Sequence, residues 1–169
     1  NNPFSQDDID IQQQETAYHG FFRILKYRLR HRLFGGGWSK TLTRELFVRG
    51  DSVGVLLYDP QRDCVALAQQ FRIGCMANPT GAWVWEVVAG MVKPGEAVVD
   101  VAVREVAEET GLQIIAAQLS PICSYYSSPG GTDEHLHLYC AVCDLSHAEG
   151  VYGLAEEGED IRIHCFKRD

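Results

Sequence analysis

The chain has 169 residues, and its 15 Lys+Arg against 23 Asp+Glu leave a formal charge of −8. Phosphate backbones are held by clustered Lys and Arg, and no basic block of five or more occurs, so this balance excludes a nucleic-acid backbone binder. With 46% hydrophobic residues the chain can build one compact domain with a modest extension, and its longest apolar runs, such as 53–58 and 87–92, fall far short of the roughly 20 residues of a membrane-spanning helix.

Residues 1–14 are polar and acidic and are expected to be loosely held. Residues 17–33 mix aromatics with spaced arginines (Arg23, Arg28, Arg30, Arg32). Gly35-Gly36-Gly37 then reads as a hairpin turn, and 41–49 continues in β-prone runs. The expectation is a small N-terminal antiparallel β subdomain over 1–50, followed by a second domain over 51–169. Within the latter, 53–58 and 64–73 read as strands around the turn residues 59–63, and 83–89 as an apolar strand stopped by Gly90. Residues 97–110 lack Gly and Pro and read as a helix closed by Gly111. Residues 114–126, 134–145 and 161–166 read as further strands, with a turn at 127–131 and a Gly- and Glu-rich loop over 150–160. Many strands around one strong helix indicate an α+β or mixed-sheet domain. No apolar leader opens the chain, Pro79 disqualifies Asn78 as a glycosylation acceptor, and the six cysteines are scattered, so a reduced, cytoplasmic protein is expected.

At about 100° per residue, Glu105, Glu108 and Glu109 share an arc of roughly 100° on one helix face, while Val99, Ala102, Val103 and Val106 form a neighbouring face suited to a sheet. Carboxylates this close repel unless a cation joins them, and an all-oxygen set favours Mg²⁺ or Mn²⁺ over zinc. Taken alone, the helix is read equally well as a solvated acidic face partly neutralised by Arg104, four residues before Glu108.

Wider spacing separates the two readings. Gly90, five residues, Glu96, seven residues, and then Arg104-Glu105-Val106-Ala107-Glu108-Glu109-Thr110-Gly111-Leu112 reproduce every fixed position of the Nudix box, G-x5-E-x7-R-E-U-x-E-E-x-G-U. The resemblance implies the Nudix fold, an α/β/α sandwich with a mixed sheet, and hydrolysis of a nucleoside diphosphate linked to another moiety; the family usually continues past the last strand into a C-terminal helix, which this sequence, ending at Asp169, is expected to lack. It implies Glu105 and Glu109 as principal metal ligands, Glu108 as a further ligand, Arg104 as the group that orients Glu105, and Glu96 as structural. Divalent ions gathered by such carboxylates neutralise a diphosphate and activate water.

Outside the box, the chain resembles the ADP-ribose pyrophosphatase subfamily. Pro129 lies 17 residues after Leu112 within Ser128-Pro129-Gly130, and the likeness runs from Tyr18-His19-Gly20-Phe21-Phe22 to 153–162. By that resemblance Phe21, Phe22, Arg44 and Glu45 serve the adenine end, partly across a homodimer. Arg49 and Arg72 serve the phosphates, Met91 supplies a backbone contact, and Glu134 a ribose-side contact. The Ala89 carbonyl and Glu159 join the metal ligands. Glu157, on the glycine-bearing loop before the last strand, is the base, and a one-residue slip would pass that role to Glu156. The aromatics and arginines also suit ordinary core and strand-edge positions.

The substrate implied is a nucleoside diphosphate sugar, ADP-ribose being cleaved to AMP and ribose 5-phosphate. A GDP-sugar hydrolase and a non-catalytic ADP-ribose-sensing module are the alternatives. His135, His137, Cys140 and Cys143 have zinc-like composition, but strand alternation sends Cys140 to the opposite face from the other three, which argues against a four-ligand zinc site.

Overall fold

A computed structural model describes residues 2–167. They form two units: one takes the chain up to Gly50 together with Tyr126–Glu134, the other takes Asp51–Tyr125 and the chain from His135 onward.

In the first unit β1 (Ile9–His19), β2 (Arg23–His31) and β3 (Leu42–Val48) form an antiparallel sheet in that order. Order therefore begins well before residue 14, contrary to the loose N-terminus read from composition. The acidic residues of β1 are spaced to meet the basic residues of β2: Asp10 faces Arg30 and Glu15 faces Lys26 as cross-strand partners, with ion pairs of 2.6 and 3.3 Å. Each such exposed pair contributes only about 0.2–1 kcal/mol, but their register matches the strand pairing. Two register shifts, at Ile11/Gln13 and Thr16/Tyr18, mark bulges that keep the long exposed strand from running flat. The glycine turn lies where the sequence places it: Gly36 N–H donates to Leu33 C=O, and the Arg30 and Arg32 guanidiniums stack on Trp38 just beyond.

The second unit contains a mixed sheet. β10 (Gly150–Tyr152), β11 (Ile161–Lys167), β5 (Cys64–Phe71), β4 (Asp51–Asp59), β9 (His135–Val142) and β8 (Leu119–Tyr126) lie side by side in that order. β4 and β9 run parallel, whereas β4 and β11 run antiparallel to β5. β4 is buried on both faces, with Val53, Val55 and Leu57 fully enclosed, which explains its unbroken apolar run.

Two readings are corrected here. The apolar run 83–89 is two strands, β6 (Trp83–Glu86) on β5 and β7 (Val88–Met91) on β4, so Gly90 lies inside a strand. Residues 114–118 are not strand either, because Ala116–Gln118 forms a 3₁₀ turn whose start is closed by the Gln118 side chain accepting the Ile115 N–H.

Among the described residues α1 (Val98–Thr110) is the one α-helix, and the second helical layer that the resemblance implies is not among them. Gly111 ends the helix with φ 70°, a left-handed turn that a side chain would strain. The stripe packed on the sheet is Ala102, Val106, Glu109 and Thr110 with Val101, spaced at helical i, i+4, i+7 and i+8. Val99 and Val103, expected in the core, are only half-buried, and the rotation that displaces them carries Glu109 into the buried stripe. The core closes with Ala66, Ala68, Ile161 and Ile163.

Candidate functional site

β7 and α1 together place the carboxylates. Gly90 in β7 lies directly beneath the Glu105 side chain, where a β-carbon would overlap its Cγ and carboxyl group. The first fixed glycine of the box is therefore required by close approach. Glu109, only 2% exposed, accepts a 3.4 Å hydrogen bond from the Ala89 N–H. Arg104 reaches three box acids from the partly exposed side of the helix: Glu105 at 3.1 Å, Glu108 at 3.4 Å and Glu96 at 3.8 Å. Glu96 also accepts the Lys93 N–H at 2.9 Å and so braces the approach to the helix. Arg104 is thus in contact with Glu105, and Glu96 is tied to the segment that leads into the helix.

Electrostatics distinguish Glu105 and Glu109 from an ordinary acidic face. Burial pushes Glu105 up to about 7, offset in part by Arg104 and reinforced by Glu108, Glu159 and Glu157. Glu109 is pushed up to about 8, again chiefly by burial. The Ala89 N–H and Arg72 act against the rise, and Glu105 and Glu159 add to it. The 3₁₀ turn Ala155–Glu157 and Glu159 thus act electrically on the helix glutamates, although they lie some fifty residues further along the chain. Two desolvated carboxylates surrounded by further acids, with Arg104 and Arg72 as their offsetting cations, make an oxygen-rich set that fits a divalent cation.

An open cleft of about 430 Å³ borders the loop acids and is lined by residues including Arg72, Trp83, Glu157 and Glu159. Within the loop, the Glu159 carboxylate accepts the Leu154 N–H at 3.0 Å, while Glu156 and Glu157 are exposed. Arg72 follows β5 and is held by Glu86 of β6 at 2.8 Å. Glu86 escaped sequence reasoning because it lies outside the box; its one signal is a lone acid ending an apolar strand. Met91 ends β7 and is exposed.

The first unit gathers the remaining candidates. Phe22 packs edge-on between Phe21 at 4.7 Å and Phe47 at 4.9 Å, and the Arg49 guanidinium sits 4.9 Å over its ring. Phe21 is 89% exposed and so is not core. Arg49 also pairs with Glu134 at 3.1 Å, and Glu134 accepts the Ser127 hydroxyl at 2.7 Å. Ser128-Pro129-Gly130 form the turn in which the Ser128 C=O accepts the Gly131 and Thr132 N–H groups. Asp133, unremarked in the sequence, accepts the N–H groups of Arg49 and Gly50 at 2.6 and 3.1 Å and fixes the end of β3. Arg44 and Glu45 project from β3, opposite Tyr27 and Lys26.

His135 and His137 come together, though with Asp51 rather than with Cys140 or Cys143. All six cysteines are free thiols. No helix among the described residues is long and apolar enough to cross a membrane.

Comparison with known proteins agrees with this geometry. The family described as NUDIX domain matches residues 48–167. An ADP-ribose pyrophosphatase of Haemophilus influenzae is 44% identical over 169 residues, spanning 98% of this chain and 77% of that protein. An ADP-ribose pyrophosphatase of Escherichia coli K12 is 44% identical over 166 residues, spanning 98% and 78%. A GDP-mannose pyrophosphatase of Pectobacterium atrosepticum is 31% identical over 159 residues, spanning 92% and 78%. With its complete box folded around buried Glu109 and half-buried Glu105, the chain belongs to the Nudix hydrolase family.

Proposed function

We propose that the protein hydrolyses ADP-ribose to AMP and ribose 5-phosphate. The observation that carries this reading is the convergence of half-buried Glu105 and buried Glu109 with the loop acids Glu157 and Glu159 beside the Arg72 cleft, in a chain 44% identical to ADP-ribose pyrophosphatases along nearly its whole length.

Glu105, Glu108, Glu109, Glu159 and the Ala89 carbonyl would hold divalent metal, with Mg²⁺ or Mn²⁺ favoured by the oxygen donors. When bound, such ions neutralise the diphosphate and make water more acidic. Arg72, fixed by Glu86, binds phosphate oxygens. Glu157 takes a proton from the attacking water, whose oxygen bonds to phosphorus as the P–O bridge to the other phosphate breaks. Arg104 positions Glu105 without touching substrate. In the first unit Phe21 and Phe22 offer a π surface to adenine, Arg44 and Glu45 its polar edge, Arg49 a phosphate contact, and Glu134 with the Ser128-Pro129-Gly130 turn a ribose contact.

We assign a homodimer as the working form. Ile9, Ile11 and Tyr18 leave β1, an edge strand of the small sheet, with exposed apolar side chains that a second copy would cover. A fully active monomer in light scattering would overturn this assignment. Turnover of ADP-ribose, GDP-mannose and diadenosine polyphosphates, compared at one Mg²⁺ concentration, tests the substrate. Preference for GDP-mannose, the substrate named in the Pectobacterium relative, would replace the ADP-ribose reading.

A further inference from the structure

On the side of β4 opposite β7, the first residues of the two parallel central strands meet. Asp51 begins β4 and His135 begins β9, and the two are direct cross-strand partners. His137 lies two residues on, opposite Val53, so that all three side chains leave the same face of the sheet. The two imidazoles pack edge to face with centroids 4.3 Å apart. His135 Nδ1 lies 3.7 Å from Asp51 Oδ1, and His137 Nε2 lies 3.7 Å from Asp51 Oδ2. One ligand atom from each residue lies within 4.8 Å of the others.

These separations have a particular meaning. At 3.7 Å a ring nitrogen and a carboxylate oxygen are too far apart for a hydrogen bond, and His137 Nε2 is shielded from solvent with no hydrogen-bond partner. Leaving such an atom unsatisfied is costly. Two ligands on one tetrahedral ion, each at about 2.1 Å, stand about 3.4 Å apart. The gap is therefore too wide for a direct bond and close to the width that a shared cation imposes.

We propose that Asp51, His135 and His137 form a second metal site, distinct in chemistry from the glutamate set, that takes a borderline divalent transition ion such as Zn²⁺. Imidazole nitrogen selects Zn²⁺, Co²⁺ or Ni²⁺ over Mg²⁺, whereas the helix carboxylates favour hard ions. The two sets therefore sort different cations within one unit. Three protein ligands leave a coordination position for water, and Asp51 is exposed enough to admit it. A bound ion ties the starts of β4 and β9 together and stabilises the folded state by mass action.

The test is isothermal titration of chelator-treated protein with Zn²⁺ in excess Mg²⁺, followed by the visible spectrum of the Co²⁺ form. Expected are one equivalent of Zn²⁺, a Co²⁺ spectrum of nitrogen and oxygen ligands, at least tenfold weaker binding in His137→Ala and Asp51→Asn, and unchanged binding in Glu109→Gln. If either site variant fails to fold, Zn²⁺-induced shifts of the His135 and His137 ring nitrogens in the wild-type NMR spectrum give the same answer. Absence of stoichiometric uptake over Mg²⁺ would leave an imidazole–carboxylate pair and overturn the site. Unchanged affinity in both folded variants, unshifted ring nitrogens, or thiolate bands in the Co²⁺ spectrum would do the same.

Discussion

The Glu105 carboxylate occupies the space above Gly90 that a β-carbon would need, so the strand that opens the box and the helix that closes it are in direct contact at one missing side chain. Gly90→Ala must push Glu105 off its position beside Arg104, and the displaced carboxylate cannot retreat into a core already filled by Val101, Ala102 and Val106. A cost of about 1–3 kcal/mol in stability is expected for such overpacking. A fall of at least tenfold in kcat should accompany it, because Glu105 is a proposed metal ligand. Steady-state kinetics alongside a thermal melt separate these effects. Unchanged kcat in a folded Gly90→Ala protein would remove Glu105 from the chemistry.

Glu109 links stability to pH in an unusual direction for a carboxylate. Its folded pKa, raised to about 8 mainly by burial, lies above the ordinary value of 4.5, so the metal-free folded protein binds a proton that the unfolded chain releases. Stability of chelator-treated protein should therefore be greatest below about pH 4.5 as far as this group is concerned, and decline as pH rises towards 8. Glu105, raised to about 7, contributes in the same sense. Glu109→Gln should flatten that decline, melt higher than wild type at pH 8 without metal, and lose most turnover. Mg²⁺ should raise the wild-type Tm most at the alkaline end and the variant Tm least. A Tm-against-pH series with and without Mg²⁺ reads all of this, and coincident curves for the two proteins would contradict the assignment.

The loop base is tested by a neighbouring pair. Glu156 and Glu157 share an exposed 3₁₀ turn, and Glu157 is among the charges that raise the Glu105 carboxyl. Glu157→Gln is expected to lower kcat by about 10²–10⁴-fold, while Glu156→Gln remains within a few-fold of wild type. The reverse pattern moves the base by one residue. Equal, small effects remove the loop from proton transfer.

Much of this was legible in the residues, and what was missed has a common cause. Spacing alone located α1, its glycine stop and every box acid, because a fixed chemical task imposes fixed offsets. Local composition was a poor guide where partners are distant in sequence. The acidic stretch before residue 14 looked unstructured until Asp10 and Glu15 met Arg30 and Lys26 across the sheet. Helical periodicity placed the glutamates at the edge of the core, and only the actual rotation of α1 against β4 and β11 buried Glu109. Strand alternation correctly separated Cys140 from His135 and His137 but could not supply Asp51, which lies more than eighty residues earlier and enters through the parallel pairing of β4 with β9.

Asp59 provides a last prediction, in which a buried carboxylate is structural and its pH dependence has the opposite sign. It ends β4 with 2% exposure, and its four acceptor contacts are all made. One oxygen takes the Gln61 and Arg62 N–H groups at 2.9 and 3.1 Å, and the other takes the Leu145 N–H at 3.1 Å and the Arg62 guanidinium at 3.0 Å. The Leu145 hydrogen bond, aided by those from Arg62 and Gln61, outweighs burial and holds the carboxyl at about 2. A depressed folded pKa gives stability that is present above the unfolded value near 4 and is lost as pH falls towards 2. Asp59→Asn keeps the shape but places an amide nitrogen where at least one donor now points. It should lower Tm by several degrees at pH 7, with the gap to wild type closing as pH falls through the range 4 to 2. Activity per folded molecule should not change, since Asp59 touches none of the box acids. A Tm gap that persists undiminished at the lowest pH would show that packing, and not the ionised hydrogen-bond set, is what the residue provides.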